Sequence, residues 1–156
     1  IMKGLFNEVF IVTNKPEHYM FPEIKLLGDV CQVRGPMTGI LTSLLNSSSH
    51  WVFASACDMP FINSDLIRLM AEKRNGCDAV VPRPHGKDEP LFSLYSVRLI
   101  PDMEKAVSSG KVGLKDFLAA KKVKYIGAKE IQNIDPQMRS FININTPEDL
   151  KHILSR

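Results

Sequence analysis

The sequence predicts an α/β domain, with a mainly parallel sheet covered by helices on both faces. Short apolar, β-branched runs alternate with stretches of helical spacing, at separations that suit crossover connections. Several of those runs stop at polar residues, as strands do where they leave a sheet. The 156 residues suffice for one core and are too few for two comfortable domains, so a single domain over 1–156 is expected.

Each element has a local reason. Glu8–Asn14 is apolar and β-branched, stops at the polar pair Thr13-Asn14 and is followed by Pro16; it reads as a buried strand and its exit turn. Ile24–Leu27 is a second brief strand closed by Gly28-Asp29, and Cys31–Pro36 a loop. Thr38–Asn46 has helical spacing, with Ile40, Leu41, Leu44 and Leu45 on one side. After Ser47–Ser49, Trp51–Ala56 is predicted to be the central strand. Asn63-Ser64-Asp65 caps a helix that runs through Lys73 and ends at Asn75-Gly76. Ala79–Val81 is a strand, Arg83–Glu89 a polar loop, Leu91–Val97 a strand and Ile100–Ser108 a helix broken by Gly110. Leu114–Lys121 is a helix and Val123–Gly127 a strand. Phe141–Asn145 reads as a late strand, and Pro147–Leu154 as a closing helix opened by Thr146-Pro147-Glu148-Asp149. The first residues, Met2–Phe6, read as the tail of a helix running straight into a strand, so an upstream segment is expected.

Composition excludes several classes. The apolar fraction is 44%, the charged fraction 24% and the net charge +3, with basic residues spread singly, so no nucleic-acid footprint is present. Cys31, Cys57 and Cys77 form no Cys-x-x-Cys pair, and no zinc site is expected. An odd, irregular cysteine set suits a reducing cytoplasm. There is neither a membrane-length apolar run nor a visible signal peptide. His18, His50 and His152 have no evident partners and are expected at the surface.

In open α/β sheets, ligands bind outside the carboxyl ends of the strands. Four such ends carry polar residues: Thr13-Asn14, Asp29, Cys57-Asp58 and Asn143 with Asn145. Asp58 is the sharpest. A carboxylate there offers a hard oxygen to Mg2+ and a bridge to nucleotide phosphates, or else it caps the following turn. Arg34-Gly35-Pro36-Met37-Thr38-Gly39 leads into a helix N-terminus, where backbone amides and Arg34 suit an anion; an ordinary tight turn is the alternative. Asn143 and Asn145 share one face of the predicted strand and suit a polar ligand, or anchor a loop. Pro82–Pro90 is a substrate-facing lid or, the better expectation, a solvated loop. Cys57 reads as a small buried residue rather than a nucleophile.

Taken together and in order, these motifs resemble the molybdenum cofactor guanylyltransferase family, the MobA-type nucleotidyltransferases. The residues that carry the resemblance are Val12-Thr13-Asn14, Asp29, Arg34–Ile40, Ala56-Cys57-Asp58-Met59-Pro60-Phe61-Ile62, Glu89–Tyr95, and Phe141–Leu150 with its Asn-x-Asn-Thr-Pro-Glu-Asp core. The resemblance implies a three-layer, Rossmann-like nucleotidyltransferase fold of the nucleotide-diphospho-sugar transferase type. It also implies transfer of GMP from GTP to Mo-molybdopterin, with Mg2+ as cofactor, release of pyrophosphate, and other cofactor-biosynthesis proteins as partners. Asp58 would be the Mg2+ ligand and Asp29 would contact the nucleotide. Thr13-Asn14 would lie beside the guanine or ribose, and Gly35, Pro36 and Gly39 would shape the loop near the nucleotide. Asn143 and Asn145 would face the molybdopterin. The family's Gly-rich loop after its first strand, ending in Arg-Met-Gly and a Lys, has no match here. A missing first βα unit is therefore expected, and residues 1–156 alone should bind GTP poorly. The rivals are a cytidylyl- or sugar-nucleotidyltransferase and a non-catalytic nucleotide or pterin binder.

Overall fold

A computed structural model gives the fold and describes residues 1–19, 23–146, 148–149 and 151. The chain runs α1 (Met2–Leu5), β1 (Phe10–Val12), β2 (Lys25–Leu27), α2 (Pro36–Asn46), β3 (Trp51–Ser55), α3 (Ser64–Glu72), β4 (Ala79–Arg83), β5 (Phe92–Ser96), α4 (Ile100–Ser108), α5 (Leu114–Ala119), β6 (Val123–Gly127) and α6 (Ala128–Gln132). Among the described residues the strands form two separate sheets, β1-β2 and β3-β5-β4-β6. The pairs β1/β2 and β4/β6 are parallel, and β5 lies antiparallel between β3 and β4. The α/β class therefore stands, with a sheet that is mixed rather than mainly parallel.

Strand alternation builds the three layers. Ala79, Val81 and Tyr95 point to one face, where Met37, Ile40, Leu41 and Leu44 of α2 pack with Met103 and Val107 of α4 and Leu114 and Leu118 of α5. Val80, Phe92 and Leu94 point the other way, onto Leu66, Ile67 and Met70 of α3 and Ile131 of α6. Each fully buried Leu, Ile, Met or Phe contributes about 1.5–3 kcal/mol. Asn63 caps α3 by accepting from the Asp65 and Leu66 amides, as its sequence signal predicts.

Three strand expectations are corrected. Trp51–Ala56 is not central: β3 is the edge of its sheet and mostly half-buried, while β4 and β5 are the buried strands. Residues Phe10–Val12 are half-exposed although the run is apolar. Phe141–Asn145 makes no strand; a 3-10 turn over Arg139–Phe141 leads into an extended segment without a ladder partner. The turn wins because Asp135 captures its amides: Arg139 donates to Oδ1 at 3.0 Å and Ser140 to Oδ2 at 2.8 Å. Helix α6, absent from the sequence reading, is short and follows directly on β6. The capping box that opens the last helix is present: Thr146 and Asn145 donate to Asp149, and Asp149 donates to Thr146 Oγ1. The rest of the Pro147–Leu154 helix, and His152, fall on residues outside the described set, apart from Glu148, Asp149 and Lys151. No helix among the described residues is long and apolar enough to cross a membrane.

Candidate active site

The polar strand ends gather into two groups. The first joins the exits of β1 and β2. The Asn14 amide donates to Asp29 Oδ2 at 2.6 Å, and the Asp29 N–H returns a bond to Asn14 Oδ1 at 3.1 Å. Thr13 continues the parallel register, donating its N–H to the Leu27 carbonyl at 2.8 Å, and its Oγ1 accepts from the Lys15 amide. This reciprocal clamp fixes both side chains at one level, the geometry that the sequence spacing alone left open.

The start of α2 borders the same space. Thr13, Asn14 and Asp29, together with Gly35, Pro36 and Gly39, line one cavity of about 690 Å³. Gly35 holds φ 154° and ψ 168°, a backbone state essentially confined to glycine, which lets the chain turn into the helix with Pro36 in its first turn. Two buried threonines, unassigned from sequence, pin the preceding loop to α2. Thr38 Oγ1 donates to the Val33 carbonyl at 2.6 Å, and Thr42 Oγ1 accepts from the Val30 amide at 3.0 Å. Their signal was the spacing of two small hydroxyls one helical turn apart. Arg34 is exposed and does not line this cavity, so the structure does not bring it to the first group.

The second group surrounds Asp58. Half-buried in the turn after β3, Asp58 accepts the Ile144 amide on its backbone carbonyl at 2.8 Å. That bond draws Asn143 and Asn145, both exposed, beside it in an extended segment rather than a strand. Glu89 is the residue that sequence reasoning left without a role. Burial raises its carboxyl above the ordinary range, and the Asp58 charge raises it further. The loop that carries it is neither a lid nor freely solvated. Its Glu89 N–H donates to the Pro82 carbonyl, the Ser93 hydroxyl to the Glu89 carbonyl at 2.7 Å, and the buried Tyr95 hydroxyl to the Pro90 carbonyl at 2.7 Å. Arg83 stacks 3.4 Å over the Tyr125 ring and donates to Asp88 at 2.5 Å. A polar loop closed by two prolines beside a strand was the available signal.

Glu89, its carboxyl raised by burial and by the neighbouring Asp58 charge, and Asp58 are both half-buried, and together they offer carboxylate oxygens that suit a divalent cation. No cluster of three or more His, Cys, Asp or Glu is present among the described residues. That set fits Mg2+ better than zinc or a caged Ca2+, because Mg2+ keeps several waters and uses one or two carboxylates plus substrate phosphates. Cys57 is exposed rather than buried, and its sulfur receives the Tyr19 hydroxyl at 3.8 Å. His50 is exposed, as expected.

With this geometry described, its relatives are informative. Residues 1–125 match the model of the MobA-like NTP transferase domain. A probable molybdenum cofactor guanylyltransferase of Methanosarcina mazei is 39% identical over 134 residues, covering 85% of this chain and 60% of that protein. Another, from Peptoclostridium acidaminophilum, is 33% identical and covers 94% of this chain and 70% of that one. The crystal structure of molybdopterin-guanine dinucleotide biosynthesis protein A from Archaeoglobus fulgidus superposes with a TM-score of 0.75 at 28% identity, over 89% of this chain and 71% of that chain. The chain thus spans about 60% of the length of the Methanosarcina relative.

Proposed function

This chain belongs to the MobA-like NTP transferase family, and we propose that it carries the metal and acceptor side of a guanylyltransferase. The proposed reaction moves GMP from GTP to Mo-molybdopterin. A phosphate oxygen of the acceptor bonds to the α-phosphorus, the bond to the β-phosphate bridge breaks, and pyrophosphate leaves. The observation that carries this reading is the meeting of Asp58, Glu89 and the Asn143–Asn145 segment at the exit of β3. Names of relatives support it, and the acceptor is taken from those names alone.

The residues divide the work. Asn14 and Asp29, locked to each other, offer a fixed pair of polar edges to the base or ribose. Gly35, Pro36 and Gly39 let the nucleotide approach the α2 backbone closely. Asn143 and Asn145 receive the pterin side, with Arg34 as an outlying cation for acceptor phosphate. Asp58, with Glu89 beside it, would hold Mg2+; the ion supplies neutralisation of the negative charge that gathers on the phosphates. No covalent enzyme intermediate is needed, because alignment and charge neutralisation account for the rate. A Gly-rich loop that cradles the reactant phosphates completes the reading, and residues 1–156 hold no such loop. Residues 1–156 alone then turn over GTP poorly. The compartment we propose is a reducing cytoplasm, consistent with three free thiols.

The test uses protein that includes such a Gly-rich loop, Mo-molybdopterin, Mg2+ and GTP labelled at the α-phosphate. Label should pass to the acceptor with stoichiometric pyrophosphate, and unlabelled CTP should compete weakly. Strong competition by CTP would move the chain to the cytidylyl branch, and no transfer from either nucleotide would leave only a binding role.

A further inference from the structure

The far end of the four-stranded sheet carries a second, smaller cavity of about 290 Å³. Its walls include His50, Trp51, Arg74, Gly76, Ser96 and Arg98. β3 begins at Trp51 and β5 ends at Ser96, and these two residues are register partners. Asp58 follows the other end of β3, about 16 Å away along a five-residue strand. Because β5 runs antiparallel to its neighbours, a strand's carboxyl end opens here too, the kind of rim at which α/β sheets bind ligands.

Local structure brings two guanidinium groups to this rim. Arg74 arrives with the end of α3, where Lys73 caps the helix and Gly76, at φ 75°, turns the chain back toward β4. Its Nη1 donates to the Ala71 carbonyl at 2.5 Å. Arg98 is held from three directions. Its Nε donates to the buried Ser96 hydroxyl at 3.3 Å, its Nη2 donates to the Cys77 carbonyl, and the same nitrogen lies 3.4 Å from Asp78 Oδ1. The Val97 amide donates to the His50 carbonyl at 3.0 Å and ties the segment before β3 to the exit of β5. The Arg98 fork is therefore already ordered, and little rotamer freedom is left to lose on binding. Asp78 offsets one guanidinium charge, and its other oxygen accepts the Lys122 amide at 3.2 Å. Asp78 does not line the cavity, and among the described residues no carboxylate does, so the lining keeps an excess of positive charge.

We propose that this cavity binds a small phosphate monoester that carries a ring. Arg74 and Arg98 take the phosphate oxygens through charge-assisted hydrogen bonds, and Trp51 packs against the ring. The volume equals that of about ten waters, at the lower limit of small-molecule sites, so a phosphate alone fills only part of it. The inference does not depend on the guanylyl reading, because none of the residues assigned to that reaction lines this cavity.

Trp51 is the only tryptophan in the chain, so its indole N–H is a single reporter at the site. The probe is phenyl phosphate, titrated into the isotope-labelled 156-residue protein while the indole resonance is followed. The expected result is a saturable shift with a Kd of about 1 mM or tighter, and binding of inorganic phosphate about tenfold weaker. Arg74→Gln and Arg98→Gln should each weaken phenyl phosphate about tenfold or more, and Arg74→Lys should recover part of that loss. Trp51 also borders the larger cavity, so Asn14→Ala serves as the location control and should leave the titration unchanged. Arg98→Gln also loses the bond to the Cys77 carbonyl; if that variant unfolds, Arg74→Gln decides. A response that does not saturate, or one matched by sodium chloride at equal ionic strength, would overturn the inference. So would unchanged binding in Arg74→Gln, sensitivity to Asn14→Ala, or inorganic phosphate binding as tightly as phenyl phosphate.

Discussion

Asp135 is the residue on which the turn leading to Asn143 and Asn145, the proposed acceptor side, mechanically depends, and replacing it with Asn tests that dependence. The side chain is 6% exposed, and its two oxygens accept the Arg139 and Ser140 amides at 3.0 and 2.8 Å. Its own backbone carbonyl takes the Met138 amide at 2.9 Å, closing a turn in which Met138 sits at φ 50°. Asn keeps the shape but has one acceptor oxygen, so its NH2 faces one of the two N–H groups. One charge-assisted bond, worth about 1.5–3 kcal/mol, is lost, and a buried donor is left unsatisfied. Relief from burying a charge offsets part of that. The net expectation is about 2 kcal/mol of lost stability, read from the urea midpoint by Trp51 fluorescence. The same change should loosen Phe141, which packs 5.1 Å from Phe92, and with it the Ile144–Asp58 bond. Acceptor affinity should therefore fall while nucleotide affinity holds. A loss below about 0.5 kcal/mol, the range of ordinary surface changes, would refute the claim that Asp135 builds this turn.

Other outcomes follow from the same geometry. Tyr95→Phe removes the bond to the Pro90 carbonyl from a fully buried ring and should cost about 1 kcal/mol in a denaturation series. Asn14→Ala frees Asp29 and should raise the GTP dissociation constant about tenfold in a calorimetric titration, with the fold intact. Glu89 is raised in the folded state, so the stability it contributes is present at pH below its unfolded value and lost as pH rises through its folded value. Glu89→Gln should therefore unfold at higher urea than the parent at neutral pH without Mg2+, and the two should converge in acid. Mg2+ should narrow the neutral gap, because a cation reverses the repulsion between Glu89 and Asp58.

Local signals were legible wherever a segment's own chemistry decides its structure. Ile100–Ser108 and Val123–Gly127 have the predicted bounds, and Asn63 and Thr146 cap helices as their patterns require. The family, and the ordering of Asp29, Asp58 and the two asparagines along the chain, were legible from motifs. Long-range pairing was not. Nothing in Leu91–Val97 reveals that β5 runs antiparallel between two strands, because an apolar run has no direction. The Phe141–Asn145 run has strand propensity, yet Asp135 and Asp58 claim its neighbouring amides first. Glu89 acquires its role only because the turn after β3 places Asp58 near it. The misjudged position of Trp51–Ala56 is instructive. Its composition suits a central strand, yet β3 pairs on one side alone among the described residues.

The most direct test is the Mg2+ dependence of pyrophosphate release by Asp58→Ala, measured in protein that includes a Gly-rich phosphate loop, with GTP and Mo-molybdopterin. Asp58 lies in a turn and is half-buried, so the variant should keep the parent's urea midpoint. The account predicts release reduced by at least about a thousandfold, roughly 4 kcal/mol of lost transition-state stabilisation, and not restored by excess Mg2+. Release within about tenfold of the parent, with unchanged Mg2+ dependence, would contradict the assignment of Asp58 as the metal-holding residue of the site.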